Sequence, residues 1–183
     1  MSILKVARMG HPVLRTKAKA LDKATVKSPA IQKLIDDMMD TMAEYHGVGL
    51  AAPQVHETWR LFVASLDSER GEEPSEPVAI INPEVLPVGT EMSDDWEGCL
   101  SIPDIRGKVP RHYEIRVRGL DREGERIELR ARGFSARVVQ HETDHLDGIL
   151  FFDRMRGFET LTFLEEYSRF WTKRDDDEEE EEE

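Results

Sequence analysis

The chain has 183 residues, enough for one domain with a substantial core. Its formal charge of −13, with Lys and Arg scattered and outnumbered, leaves no nucleic-acid footprint, and no stretch approaches the roughly 18 apolar residues of a membrane span. One cysteine, Cys99, excludes an internal disulfide, and the N-terminus lacks the apolar run of a signal peptide, so a cytoplasmic protein is expected.

In chain order, residues 1–27 read as irregular, with "GHPVLR" as a turn followed by a strand. "SPAIQKLIDDMMDTMAEYHG" reads as an amphipathic helix. Ser28 is the N-cap, Pro29 the first helical residue and Gly47 the C-cap. Ile31, Leu34, Ile35, Met38, Met39, Met42 and Tyr45 recur at helical spacing on the face meant for the core. "WRLFVASL" and "VAIINPEVL" read as strands, the second ending at Pro83 or shortly after, with "DSERGEEPSEP" as a polar loop between them. "EIRVRGL" and "ERIELRAR" alternate apolar and charged residues around "DREG", the pattern of an antiparallel hairpin with one buried face. A helix is expected from Phe134 to Leu146, stopped by Gly148, and a last helix from Phe158 to Trp171. Strands grouped as hairpins beside separate helices indicate an α+β domain over residues 1–174. Asp175 to Glu183 are all acidic and supply nine of the thirteen net negative charges. They have nothing apolar to bury and are expected to be disordered.

Three stretches carry chemistry. "QHETDHLDG" contains H-E-x-x-H. On a helix His141 and His145 share a face, and Glu142 can reach a water on an ion held between them. A catalytic ion of this kind needs a third protein ligand and an open position. Downstream, Asp147, Asp153, Glu159, Glu165 and Glu166 offer carboxylates in no recognised spacing; upstream, Cys99 in "DDWEGCLSIPDIRG" offers a thiolate. The third stretch, "GVGLAAPQ", fits a dinucleotide fingerprint only formally, since a helix precedes it and Pro53 follows. It reads better as a tight turn where backbone approaches a ligand, with Gln54 offering a neutral amide.

Together "GVGLAAPQ", "EGCLS" and "QHETDHLDG" resemble, in order and without mismatch, the three motifs of peptide deformylases: G-x-G-L-A-A-x-Q, E-G-C-L-S and Q-H-E-x-D-H-L. The resemblance runs from "ARMGHPVLR" to the last helix and looks like the bacterial and organellar branch with a helical C-terminus. It implies antiparallel sheets packed around a central helix carrying H-E-x-x-H. It also implies hydrolysis of the formyl group from the formyl-methionine of new polypeptides. Cys99, His141 and His145 would hold the metal, ferrous iron, with zinc, nickel or cobalt as other occupants. Glu142 would act as general base and acid, and Gln54 with the Leu100 N–H would stabilise the oxyanion. Gly49 would meet the peptide main chain through its backbone, Val48 and Gly98 would also bind substrate, and Arg106 would sit near the rim. Phe134 and Val138 share the His141 face and are candidates for the methionine side-chain pocket, or for simple core packing. Arg137 is expected to face solvent. Glu97, Gln140 and Asp144 are candidate partners for the ligating imidazoles.

Other readings make distinct demands. An HExxH endopeptidase needs no Cys99. A deformylase-like binding protein that has lost activity would lack Glu142, Cys99 or Gln54, and all three are present. A structural zinc domain needs a fourth protein ligand. Work on nascent chains implies transient proximity to the RNA-rich ribosome, which an acidic tail repels. Deleting Asp175–Glu183 should therefore not weaken ribosome binding in a sedimentation assay; tighter binding with the tail than without it would refute this.

Overall fold

A computed structural model describes residues 2–66 and 76–172. Most of the predicted "DSERGEEPSEP" loop and the whole acidic tail lie outside the described residues. The helices are α1 (Lys23–Val26), α2 (Pro29–Glu44), α3 (Gly133–Leu146) and α4 (Leu164–Phe170). The strands are β1 (Gly49–Ala51), β2 (Leu61–Ala64), β3 (Val78–Pro87), β4 (Met92–Cys99), β5 (Ile102–His112), β6 (Glu114–Leu120), β7 (Arg126–Arg132) and β8 (Thr162–Phe163). An antiparallel five-stranded sheet runs β1-β2-β3-β6-β7, and a smaller one runs β4-β5-β8. This is the expected mixture of helices and antiparallel sheets.

Alternation along the central strands divides the core. Leu61 and Val63 of β2, with Ala79 and Ile81 of β3, pack with Ile31, Ile35, Met38 and Met42 of α2. Their neighbours Phe62, Ala64 and Ile80 point to the other face. There they join Ile115 and Val117 of β6 and Ala136, Val138, Val139 and Leu146 of α3. Strands β1 and β2 and the first half of β3 are thus covered on both faces, while β6 and β7 bury one face only. Each large apolar side chain buried this way contributes about 1.5–3 kcal/mol. A third cluster, including Leu14, Cys99, Ile102, Val109 and Phe151, fills the space around the smaller sheet.

Ser28 caps α2, its side chain accepting from the Ile31 N–H at 3.4 Å. The predicted end shifts by one residue. His46, not Gly47, takes the left-handed conformation (φ 53°), and the His46 and Gly47 N–H groups donate to Ala43 O and Met42 O. Tyr45 accordingly leaves the core face and is exposed. "GHPVLR" forms a 3-10 turn over Pro12–Arg15 instead of a strand, because Pro12 opens it and His11 Nδ1 accepts from the Val13 N–H at 3.2 Å. β3 continues through Pro83 to Pro87. The pairing with β6 shifts register between Ile81 and Glu84, and that irregularity absorbs the missing N–H.

The last predicted helix is shorter than expected. Thr162 and Phe163 pair with Ile105 and Arg106 at the β5 edge, and the Thr160 hydroxyl accepts from the Lys108 N–H, so α4 begins only at Leu164. The sequence pattern does not reveal strands β4 and β5, the first of which ends at Cys99.

Gly148 ends α3 as predicted, at φ 73°. A Cβ there would lie 2.8 Å from the Arg15 carbonyl carbon and oxygen, whereas Gly89, at φ 75°, has nothing within 4 Å. Gly89→Ala should cost about 1–2 kcal/mol, the usual left-handed penalty. Gly148→Ala should cost more, because main chain must also move. Equal losses in urea unfolding would show that the Arg15 contact yields freely.

Candidate active site

β4 ends at Cys99, and α3 presents His141 and His145 one turn apart. Their ligand atoms all lie within 4.8 Å of one another. Cys99 Sγ stands 3.2 Å from His145 Nε2, close to the spacing across a tetrahedral ion with bonds of about 2.0–2.3 Å. The Asp and Glu residues considered as a third ligand do not belong to this cluster; Asp147 pairs with Arg60 and Asp153 with Arg15.

The surroundings fix each group. Glu97, 5 % exposed, accepts from His141 Nδ1 at 2.9 Å, which leaves the other ring nitrogen free for an ion. Burial alone would raise the Glu97 carboxyl. Hydrogen bonds from His141 and Arg111 outweigh it and hold the group well below the usual carboxylate range. Asp144 instead accepts from Arg111 and Arg154, and Gln140 bonds the main chain of His112. Burial, followed by nearby His141, pushes His145 well below its ordinary value. His145 Nδ1 has no hydrogen-bond partner among the described residues. A soft thiolate with two imidazoles suits a divalent transition ion.

Gln54 lies in a 3-10 turn after β1. Its Oε1 accepts from the Ala51 N–H at 2.8 Å, so its NH2 must point the other way, to Ser101 Oγ at 3.2 Å and Cys99 Sγ at 3.5 Å. Glu142 is buried with Oε2 unpartnered, and burial pushes its carboxyl up to about 7. Gly49 lies against it: a Cβ there would meet Glu142 Cγ at 2.8 Å and Cδ at 2.7 Å. The glycine expected to meet a substrate backbone makes room for the Glu142 side chain.

These groups open on a cleft of about 870 Å³. Val48, Gly49, Gln54, Gly98, Cys99, Leu100, Arg106, Phe134, Val138, His141 and Glu142 all line it, and His145 lies buried behind Cys99. Phe134 is 52 % exposed, whereas Val138 is buried in the core as well as facing the cleft, so simple core packing holds for neither alone. The Arg106 guanidinium covers Gly98 and donates to Ile105 O at 2.9 Å.

Arg137 corrects the expectation of a solvent-facing residue. It is 4 % exposed and donates to Glu97. Arg111 was missed altogether, as was Ser101, which is fully buried beside Gln54. The one available signal for Arg137 was its place four residues before His141 on the same helix face.

A thiol and two imidazoles beside a cleft form a candidate metal centre of the kind a metal-dependent hydrolase uses. The model of the polypeptide deformylase family matches residues 3–160. The chain is 44 % identical over 174 residues to peptide deformylase 2 of Nostoc sp., spanning 93 % of this chain and 96 % of that one. It is 43 % identical over 163 residues to peptide deformylase 1 of Bordetella pertussis, spanning 87 % and 92 %. Among solved structures, the Met-Ala-Ser-bound class I type b peptide deformylase from Acinetobacter baumannii matches with a TM-score of 0.78 at 41 % identity, covering 85 % of this chain and 100 % of that one. The enzyme from Thermotoga maritima matches at 0.76 and 40 %, covering 86 % and 100 %. The chain belongs to the polypeptide deformylase family.

Gly49→Ala tests the packing of the acid. The variant should unfold cooperatively near the native midpoint yet lose about 100-fold in deformylase turnover, the cost of roughly 1 Å of misplacement. Native turnover would mean that Glu142 is not held by this contact.

Proposed function

We propose that the chain hydrolyses the formyl group from N-terminal formyl-methionine of newly made polypeptides, releasing formate and a free amine. The observation that carries this is the convergence of Gln54, Cys99, His141 and Glu142 on one cleft, with His145 buried against Cys99. Cys99, His141 and His145 would hold the metal, proposed to be ferrous iron, with zinc, nickel and cobalt as alternatives. When bound, a divalent ion there lowers the pKa of a water and polarises the formyl oxygen.

The remaining work falls to side chains. Glu142 has a carboxylate oxygen with no competing partner. It takes the proton of the attacking water and delivers it to the departing nitrogen as the C–N bond breaks. The water oxygen leaves in formate. The Gln54 amide, unable to flip while Oε1 is bound to Ala51, aims its donors at the charge that develops on the formyl oxygen, with the Leu100 N–H as second donor. Gly98, Val48 and Gly49 bring main chain to the peptide, and Arg106 lies at the rim. The apolar wall of Phe134 and Val138 receives the methionine side chain. Residues 1–174 would form a single catalytic unit in the cytoplasm, meeting nascent chains near the ribosome. Among the described residues no helix is long and apolar enough to cross a membrane.

Formate release from a short formyl-Met peptide tests the reading, with chain loaded anaerobically with ferrous iron. Native chain should release formate; Glu142→Ala and Cys99→Ser should abolish release, and Gln54→Ala should lower it about 100- to 1,000-fold. No release with one metal bound per chain would overturn the proposal. Cleavage within unformylated peptides would then favour an HExxH peptidase, and no cleavage a binding protein.

A further inference from the structure

Arg137 stands one turn before His141, so both side chains leave α3 on one face. They grip the same carboxylate from its two ends. Arg137 Nη1 donates to Glu97 Oε1 at 2.8 Å and His141 Nδ1 to Oε2 at 2.9 Å. Arg111 adds Nε on Oε1 at 2.8 Å and Nη2 on Oε2 at 3.0 Å. A carboxylate has about four acceptor sites, so Glu97 is saturated. Arg111 is itself shared, with Nη1 on Asp144 Oδ2 at 2.5 Å, and cannot hold Glu97 free of that second pull.

The Arg137 guanidinium reaches further. It donates to the carbonyls of Ser93 at 2.8 Å, Asp95 at 3.3 Å and Val109 at 2.7 Å. β4, which carries Ser93, Asp95, Glu97 and Cys99, is therefore tied to the helix that carries both histidines by one planar side chain. An ammonium group, a point donor, cannot span these acceptors.

We propose that Arg137 is a positioning residue of the metal centre. It orients Glu97, and through it the His141 ring, and it fixes the spacing between Cys99 on β4 and the imidazoles on α3. This rests on the deformylase reading of the cleft.

The test uses full-length chain and its Arg137→Lys and Arg137→Gln variants, loaded with cobalt. Four quantities are read: the cobalt dissociation constant by chelator competition, the visible absorption of the cobalt–thiolate centre, the thermal midpoint, and kcat and KM for a formyl-Met peptide. The expected result is a 10- to 100-fold weaker dissociation constant, an altered absorption band, and a fall in kcat with KM within about twofold. In a Glu97→Gln background the effect of Arg137→Lys on metal affinity should largely disappear, because the two act through one contact. A lowered midpoint with unchanged cobalt affinity and absorption would overturn the proposal. So would additive effects in the double variant, or failure of both single variants to fold, which would assign Arg137 to sheet packing alone. Absence of formate release by native chain would sink the deformylase reading instead, and is seen separately from the metal measurements.

Discussion

The site depends on one buried carboxylate. Glu97 has each oxygen filled by two donors, and those donors come from β5 and from two points on α3. An ionised group in the interior is costly unless paired and fully hydrogen-bonded. Here the charges balance locally. Glu97 and Asp144 are opposed by Arg111 and Arg137, with the half-exposed Arg154 closing the network on Asp144. Such networks add little net stability compared with apolar packing, but removing one member leaves an uncompensated charge, at about 3–5 kcal/mol. The network thus acts as a fixture: it tolerates few arrangements, and the one it permits presents His141 to Cys99.

The five-stranded sheet provides the rigid reference for that fixture. Strands β1 and β2 and the first half of β3 are buried on both faces, with α2 on one side and α3 on the other, while β6 and β7 bury only the face toward α3. The smaller sheet is less well covered. Its attachment comes from the third apolar cluster, from the aromatic contacts of Trp96 with Tyr167 and Trp171, and from the Arg137 and Arg111 side chains. Two of the three candidate metal ligands thus stand on the helix packed against the larger sheet, and the third on a layer held by both apolar and polar ties.

What could be read from the sequence follows from this division. The Met-rich stripe of α2 and the β6–β7 hairpin were legible because apolar burial repeats with the period of the element. H-E-x-x-H was legible because it needs only helical spacing, whereas Cys99, Gln54 and Leu100 took their expected roles from the family resemblance, since no spacing links them to the helix. β4 was not, because "MSDDWEGC" shows no alternation: its outer residues are exposed and acidic, and its inner ones are held by hydrogen bonds to α3. Arg137 was misread for the same reason. An arginine in a helix defaults to solvent, and the carbonyls that bury it belong to a strand the pattern does not reveal. β8 was hidden because pairing with the β5 edge overrode a helical spacing of apolar residues.

Cys99 and His145 stand 46 residues apart in the chain. At a synthesis rate of about 5–20 residues per second, roughly 2–9 seconds separate the making of the thiol from that of its last imidazole partner. During that interval the nascent chain holds a sulfur with neither the histidines nor the helix that would bury it. If these residues hold the metal, its capture would have to wait for α3, and until then the thiol would lack those partners. The thiol is therefore made well before the helix that buries it.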